Sequence, residues 1–357
     1  LLFATGIANL TTFMTAIVSL ACVMWLPVLA ADQPPQTSDL PADQAVVFGE
    51  LDNGLEYAIM PNAEPPGKAS VRLVVKAGSI QEREDQQGLA HFLEHMAFNG
   101  STHYPPGELI EYLQRIGMSF GADTNAHTSF DETVYKLELP GTDEAMMREG
   151  LQVMADYAGG LLLRDEEIDS ERGVILSEFR DRDTVDYRTT IAYWEFLFPD
   201  SLIPQRLPIG KKEVIKFADR DAFVSYYETW YRPDNMALVI VGDLDPAAAV
   251  PLIEEYFGGL EVPANPIAEI DLGAVTNAGV RTHLHSEPEA AATEIGILSV
   301  IPFDNPPDSR EVRIEAIRMA TTNRILSRRF EKLAKQEDAP FSEGSAYAFD
   351  YLDFFEL

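Results

Sequence analysis

Cysteine is almost absent: the 357 residues contain one, Cys22. That excludes a disulfide framework and any zinc site built from thiolates. Basic residues are scarce. Lys and Arg number 27 against 58 Asp and Glu, giving a net charge of −31. So acidic a surface repels nucleic acid and anionic lipid, and no nucleic-acid partner is expected. It serves solubility, and it can also steer basic peptides from a distance. The chain has no phosphate-binding loop and no dinucleotide fingerprint, which removes the commoner nucleotide-dependent classes. With 46% hydrophobic and 24% charged residues, it has an ordinary globular composition, long enough for more than one core.

Charge of either sign is missing from residues 1–31, which are apolar almost throughout from Leu10 to Ala30. The exit through Val28-Leu29-Ala30 to Ala31-Asp32 offers the small residues that signal peptidase requires. Residues 1–31 therefore read as a signal peptide cut after Ala30 or Ala31. An uncleaved membrane anchor is the competing reading, disfavoured by Pro27 and the small-residue exit. A lipoprotein signal at Leu20-Ala21-Cys22 is weaker, because the apolar run continues past the cysteine. The first residue is not Met and no basic segment precedes the run, so the true start is expected upstream. The expected location is exported, periplasmic or extracytoplasmic, with membrane anchoring as the alternative.

The five residues His91-Phe92-Leu93-Glu94-His95 carry the most chemistry. On a helix, positions i and i+4 are neighbours, so His91 and His95 can grip one metal ion. Glu94 leans toward the same face and is placed to take a proton from a metal-bound water. The order H-x-x-E-H inverts the commoner H-E-x-x-H signature. Two inert histidines on a helix flank would also fit the bare motif. The surroundings argue against that, because Leu89, Phe92, Leu93, Met96, Ala97 and Phe98 make the helix apolar nearly all round and therefore buried. Buried His and Glu are costly unless paired or bound to metal. Gly88 precedes this helix, and Asn99-Gly100 read as its C-terminal cap.

A catalytic zinc site uses three protein ligands and leaves a fourth position for water. The third ligand is sought in the helix Glu166–Arg182, where Ile168, Ile175 and Phe179 share one stripe. Glu171 and Glu178 fall together at the edge of that stripe. One would ligate and the other would steady the site from behind. Spacing alone does not separate them. Glu166 and Glu167 read as a solvated face.

The stretch from Gly88 to Gly100 resembles the active-site helix of the pitrilysin/insulinase family of zinc peptidases, which includes the mitochondrial processing peptidase. The resemblance extends over roughly residues 45 to 260. Asn125-Ala126-His127-Thr128 is similar to the family's Asn-Ala strand beside the zinc. The Ser170–Glu178 segment is similar to the helix supplying its distal glutamate. Leu207-Pro208-Ile209-Gly210 resembles its Pro-x-Gly loop, and the run from Phe223 to Asp243 its strand leading out of the first domain. The resemblance implies one zinc ion per chain, held by His91, His95 and Glu178. It makes Glu94 the general base and Glu171 the acid behind the ligands, with Asn125 and Ala126 on the substrate-binding strand. The activity implied is hydrolysis of extended or unfolded peptides. A non-catalytic homologue serving as a binding or assembly subunit is the alternative, disfavoured by the intact His91/Glu94/His95 set.

The fold expected is α+β: a two-layer domain of mixed, mostly antiparallel sheet packed with helices, followed by the start of a second homologous domain. A hairpin is expected about Asp52-Asn53-Gly54, with a further strand at Val71–Val75. The stretch from Ser119 to Thr128 with Thr133–Leu139 reads as another hairpin, whose edge can accept a peptide as an added strand. Helices are expected at Pro106–Ile116, Glu144–Gly159, Asp219–Trp230 and Ala247–Phe257, with the strand Ala237–Val241 between the last two. The divisions are residues 1–31 signal peptide, 32–44 linker, 45–261 catalytic domain, 262–282 linker, and 283–357 an incomplete second non-catalytic domain. In the last, Glu294–Ile301 is expected as a strand and Arg310–Lys335 as a long helix, with His283 and His285 structural or exposed. The family's arrangement implies a second homologous half, in the same full-length chain or as a subunit. Without it the polypeptide is expected to bind zinc yet cleave peptides poorly.

Overall fold

The structure, a computed structural model, describes residues 38–356 apart from 277–278, 304–305 and 353. The signal-peptide reading of residues 1–31 lies outside the described residues. Among the described residues no helix is long and apolar enough to cross a membrane.

β1 (Val47–Glu50) and β2 (Glu56–Pro61) pair antiparallel across the turn expected at Asp52-Asn53-Gly54. Gly54 sits at φ 85°, a conformation a Cβ would strain. β3 (Ala69–Val75), β4 (Thr124–Thr128), β5 (Thr133–Leu139) and β6 (Met236–Gly242) complete a six-stranded sheet in the order β1-β2-β6-β3-β5-β4. Only β2 and β6 run parallel; the other neighbouring pairs are antiparallel. The sheet is thus mixed and mostly antiparallel, as the sequence implies.

Period-two alternation divides its faces. Val71, Leu73 and Val75, Tyr135 and Leu137, and Leu238 and Ile240 are buried in one cluster with the helices. The opposite face mixes polar residues with valines, among them the buried Val74 and Val134, and Arg72 is paired there to Glu138 at 2.5 Å. The helical layer contains α1 (Leu89–Met96), α2 (Glu108–Arg115), α3 (Glu144–Gly159), α4 (Asp165–Asp181), α5 (Val185–Leu197), α6 (Lys212–Phe217), α7 (Arg220–Trp230) and α8 (Pro246–Phe257). α1 lies against β4, β5, α4 and α7, at the end of the sheet where β4 is the edge strand.

Three helices differ from the sequence expectation. α2 starts at Glu108 rather than Pro106, because Gly107 turns the chain at φ 83° first. α5 and α6 are additional; each buries a single residue, Leu197 in α5 and Ile215 in α6.

Residues 301–356 contribute a small sheet of β7 (Ile301–Pro302), β8 (Asp350–Tyr351) and β9 (Phe355–Glu356), and the helix α9 (Arg310–Ala334). An aromatic cluster joins them to the residues after α5, with Phe198 and Phe355 ring centroids 4.3 Å apart. The strand expected over Glu294–Ile301 is not formed; Ile301 alone of that stretch enters a ladder. Residues 294–300 enter none of the described strands, and Ile295 and Ile297 stay 69% and 63% exposed.

Candidate active site

α1 begins after Gly88, which is at φ 101° and has no side chain with which to cap the helix. The cap comes from Glu82. Its carboxylate accepts the Gly88 N–H at 2.9 Å and the Ala90 N–H at 2.8 Å, satisfying donors every helix start leaves free. Burial pushes the Glu82 carboxyl up to about 8, against those amides and the Arg206 charge. The Leu207–Gly210 loop presses on the same helix start, backbone to backbone. A Cβ on Gly210, itself at φ 72°, would lie 2.2 Å from the Gly88 Cα. That approach is the physical reason for the glycine of the Pro-x-Gly motif.

α1 carries His91, Glu94 and His95, and the two imidazoles lie edge to face with centroids 4.9 Å apart. Glu178 reaches them from α4. Its Oε2 is 3.5 Å from His91 Nε2 and its Oε1 is 3.5 Å from His95 Nε2. One donor atom from each of His91, His95 and Glu178 lies within 4.8 Å of the others. Burial, reinforced by the His95 and Arg182 charges, drives the His91 pKa down to about 3. His91 is therefore neutral, and its approach to Glu178 is not an ion pair. Its Nδ1 is buried without a hydrogen-bond partner, so packing orients that ring.

His95 is held differently. Its Nδ1 lies 2.8 Å from Glu171 Oε1, and Asn99 Nδ2 donates to Glu171 Oε2 at 2.9 Å. A carboxylate there fixes the proton on Nδ1 and leaves the Nε2 lone pair facing Glu178. Burial lowers the His95 pKa, but the Glu171 hydrogen bond with the Glu178 and Glu94 charges outweighs it and holds the pKa above its ordinary value. The same contact holds Glu171 below the usual carboxylate range. Two imidazole nitrogens and one carboxylate oxygen are the donor set that suits zinc. Spacing left Glu171 and Glu178 equivalent; geometry separates them by which nitrogen each faces.

Glu94 is buried and outside that donor cluster. Burial raises its carboxyl above the ordinary range, opposed by the Thr128 hydroxyl, which donates to Oε2 at 2.6 Å. Asn125 and Ala126 lie on β4 as expected. Asn125 is exposed, its amide donating to Gly121 O at 3.4 Å and its Oδ1 accepting the Ala126 N–H at 2.9 Å. His283 and His285 are not in this donor group; His283 stacks on Phe196 with centroids 4.8 Å apart. Sequence reasoning gave no role to Thr128 or Glu82, and read Asn99 only as a cap. Their partners lie 34, 6 to 8, and 72 residues away along the chain.

A mixed sheet with one helical layer, carrying an H-x-x-E-H helix against a distal glutamate, defines the class. Residues 57–191 match the family described as Insulinase (Peptidase family M16), and residues 218–333 match the Peptidase M16 inactive domain. The chain belongs to this insulinase family. It is 37% identical over 230 residues to the probable zinc protease PqqL of Escherichia coli, covering 64% of this chain and 24% of that protein. It is 30% identical over 299 residues to a zinc protease PQQL-like protein of Arabidopsis thaliana, covering 82% of this chain and 31% of that one. The crystal structure of the first half of the periplasmic protease PqqL from Escherichia coli superposes with a TM-score of 0.76 at 29% identity, covering 89% of this chain and 68% of that chain. The chain thus spans about a quarter to a third of the length of these curated relatives.

Proposed function

We propose that this chain forms the metal-binding catalytic part of an exported zinc endopeptidase that hydrolyses extended or unfolded peptides. The observation that carries the reading is the convergence of His91, His95 and Glu178 with Glu94 buried beside them but outside the donor set. Zinc, when bound, polarises a scissile carbonyl and lowers the pKa of water to about 7. Glu94 accepts the water's proton and passes it to the leaving amine. Glu171 holds His95 in the tautomer that ligates. The edge strand β4, through Asn125 and Ala126, takes the peptide as an added strand, so binding rests on backbone hydrogen bonds and favours extended conformation over sequence. One zinc ion is held per chain.

In this reading residues 45–261 are the catalytic domain, 262–282 a linker, and 283–357 part of a second, non-catalytic domain. A second homologous half supplies further substrate contacts. Export to the periplasm is supported by the periplasmic relative and by the charge-free start of the chain.

The test is a pair of substitutions. Zinc near one per chain is expected, lost in His95→Ala. Hydrolysis of an unstructured peptide by the full-length protein, second half included, is expected to vanish in Glu94→Gln while zinc is retained. Undiminished hydrolysis in Glu94→Gln refutes the assignment.

A further inference from the structure

Three carboxylates approach the two imidazoles, yet they do different things. Glu178 points at both Nε2 atoms. Glu171 stands behind His95 on the Nδ1 side, its oxygens occupied by His95 and Asn99. Glu94 is the anomaly. It neighbours a ligand in sequence and shares the α1 face with both histidines, but none of its oxygens belongs to the convergent donor set. A buried carboxylate beside a dication would ordinarily join it, because coordination satisfies an anion that burial makes costly. Something must hold it off.

We propose that Thr128 is a positioning residue that keeps Glu94 off the metal and so makes it a base instead of a fourth ligand. Its Oγ1 donates to Glu94 Oε2 at 2.6 Å, the short distance of a hydroxyl bonded to a carboxylate. Glu94 is 9% exposed, so bulk water competes little for that oxygen. Thr128 is also well anchored. It ends β4 opposite Thr133, whose own hydroxyl donates to Ala77 O at 2.9 Å. The next residue, Ser129, accepts the Ser79 N–H at 3.1 Å and donates its N–H to Glu132 O at 2.8 Å. The base is therefore located by the sheet, while His91 and His95 are located by the helix. The strand that sets the base is the edge strand assigned above to the peptide, so substrate pairing and base position act on one element.

This inference rests on the metallopeptidase reading, and its test includes measurements independent of turnover. The probe is Co(II) loaded in place of zinc into the full-length protein, second half included, as wild type, Thr128→Val and Thr128→Ser. Valine keeps the branched shape without the donor; serine keeps the donor. In Thr128→Val the visible absorption bands of Co(II) are expected to shift as the Glu94 carboxylate enters the coordination sphere, with metal affinity undiminished. Turnover of an unstructured peptide should show kcat reduced at least about tenfold, since a positioned base contributes about 100-fold or more, with KM within about twofold. Thr128→Ser should restore both spectrum and kcat. A wild-type spectrum and kcat in Thr128→Val overturns the proposal. So does weakened metal binding with an unshifted spectrum, which marks a merely structural threonine, or a serine variant that behaves like valine. A wild-type full-length protein that takes up Co(II) yet cleaves nothing sinks the peptidase reading, while the spectra still decide the role of Thr128. A chain that takes up no Co(II) sinks both.

Discussion

Replacing Glu171 by Gln should weaken zinc binding by roughly an order of magnitude, and the size follows from what the carboxylate touches. It accepts from His95 Nδ1 at 2.8 Å and from Asn99 Nδ2 at 2.9 Å. Glutamine keeps one acceptor oxygen, so the bond to His95 survives in neutral form. What is lost is the charge assistance, together with the bond to Asn99, whose amide then meets another amide NH2 until one of them flips. A charge-assisted hydrogen bond contributes about 1.5–3 kcal/mol and a neutral one about half as much, so the loss is about 1–2 kcal/mol, or roughly 5- to 30-fold in affinity. That overlaps the 10- to 100-fold typical of disturbing a ligand's outer partner. Glu171→Ala, which leaves His95 Nδ1 with nothing, should approach the upper end; Asn99→Ala should lie below Glu171→Gln. Competition against a chelator at pH 8 measures all three. The pH dependence has a definite sign. The Glu171 contact stabilises the proton on His95 as well as its ligating tautomer, which is why the His95 pKa is raised. As pH falls through that raised pKa, protons displace zinc from the wild type sooner than from Glu171→Gln, so the affinity gap narrows. An unchanged affinity at pH 8, or a gap that widens on acidification, refutes the argument.

Gly210→Ala is expected to destabilise the fold by about 2 kcal/mol or more, since its Cβ meets the Gly88 Cα at 2.2 Å in a backbone conformation of positive φ. Urea denaturation reads the loss, and a wild-type midpoint contradicts it. Glu82 should make stability pH-dependent. Its folded pKa of about 8 is raised by burial above the ordinary value, so the stability it contributes is present below the unfolded pKa and lost as pH rises through about 8. Urea midpoints measured between pH 5 and 9 should fall with rising pH, and Glu82→Gln should flatten the trend; equal slopes in the two proteins would reject it. Asn125→Ala should raise KM for an unstructured peptide several-fold with kcat nearly unchanged, because the amide shapes β4 through Gly121 O and the Ala126 N–H. A loss confined to kcat would place Asn125 in the chemistry instead.

Legibility tracked the distance over which each interaction acts. The H-x-x-E-H helix was readable because its metal-binding face is set by residues within one turn, and its burial by the apolar residues between them. The sheet was readable for a like reason: alternation along Val71–Val75 and Thr133–Leu139, and the Asn53-Gly54 turn, are local signals. Glu171 and Glu178 were readable as a pair but not as individuals, since seven residues return to nearly the same helical azimuth. Only the packing of α4 on α1 sets one against Nε2 and the other against Nδ1. Thr128, Asn99 and Glu82 lie further along the same gradient. A threonine ending a strand, an asparagine after a helix and a glutamate in a loop each satisfy local rules, so nothing local sets them apart. Their roles arise where strand, helix and loop come to rest together, which is also why each bond falls on a different support of one short helix. Glu82 grips its start, Glu171 and Asn99 steady its second imidazole, and Thr128 turns its carboxylate. The Glu294–Ile301 segment shows the converse. Its alternation is a sound local signal for a strand, but a strand also needs a neighbour, and no local pattern supplies one.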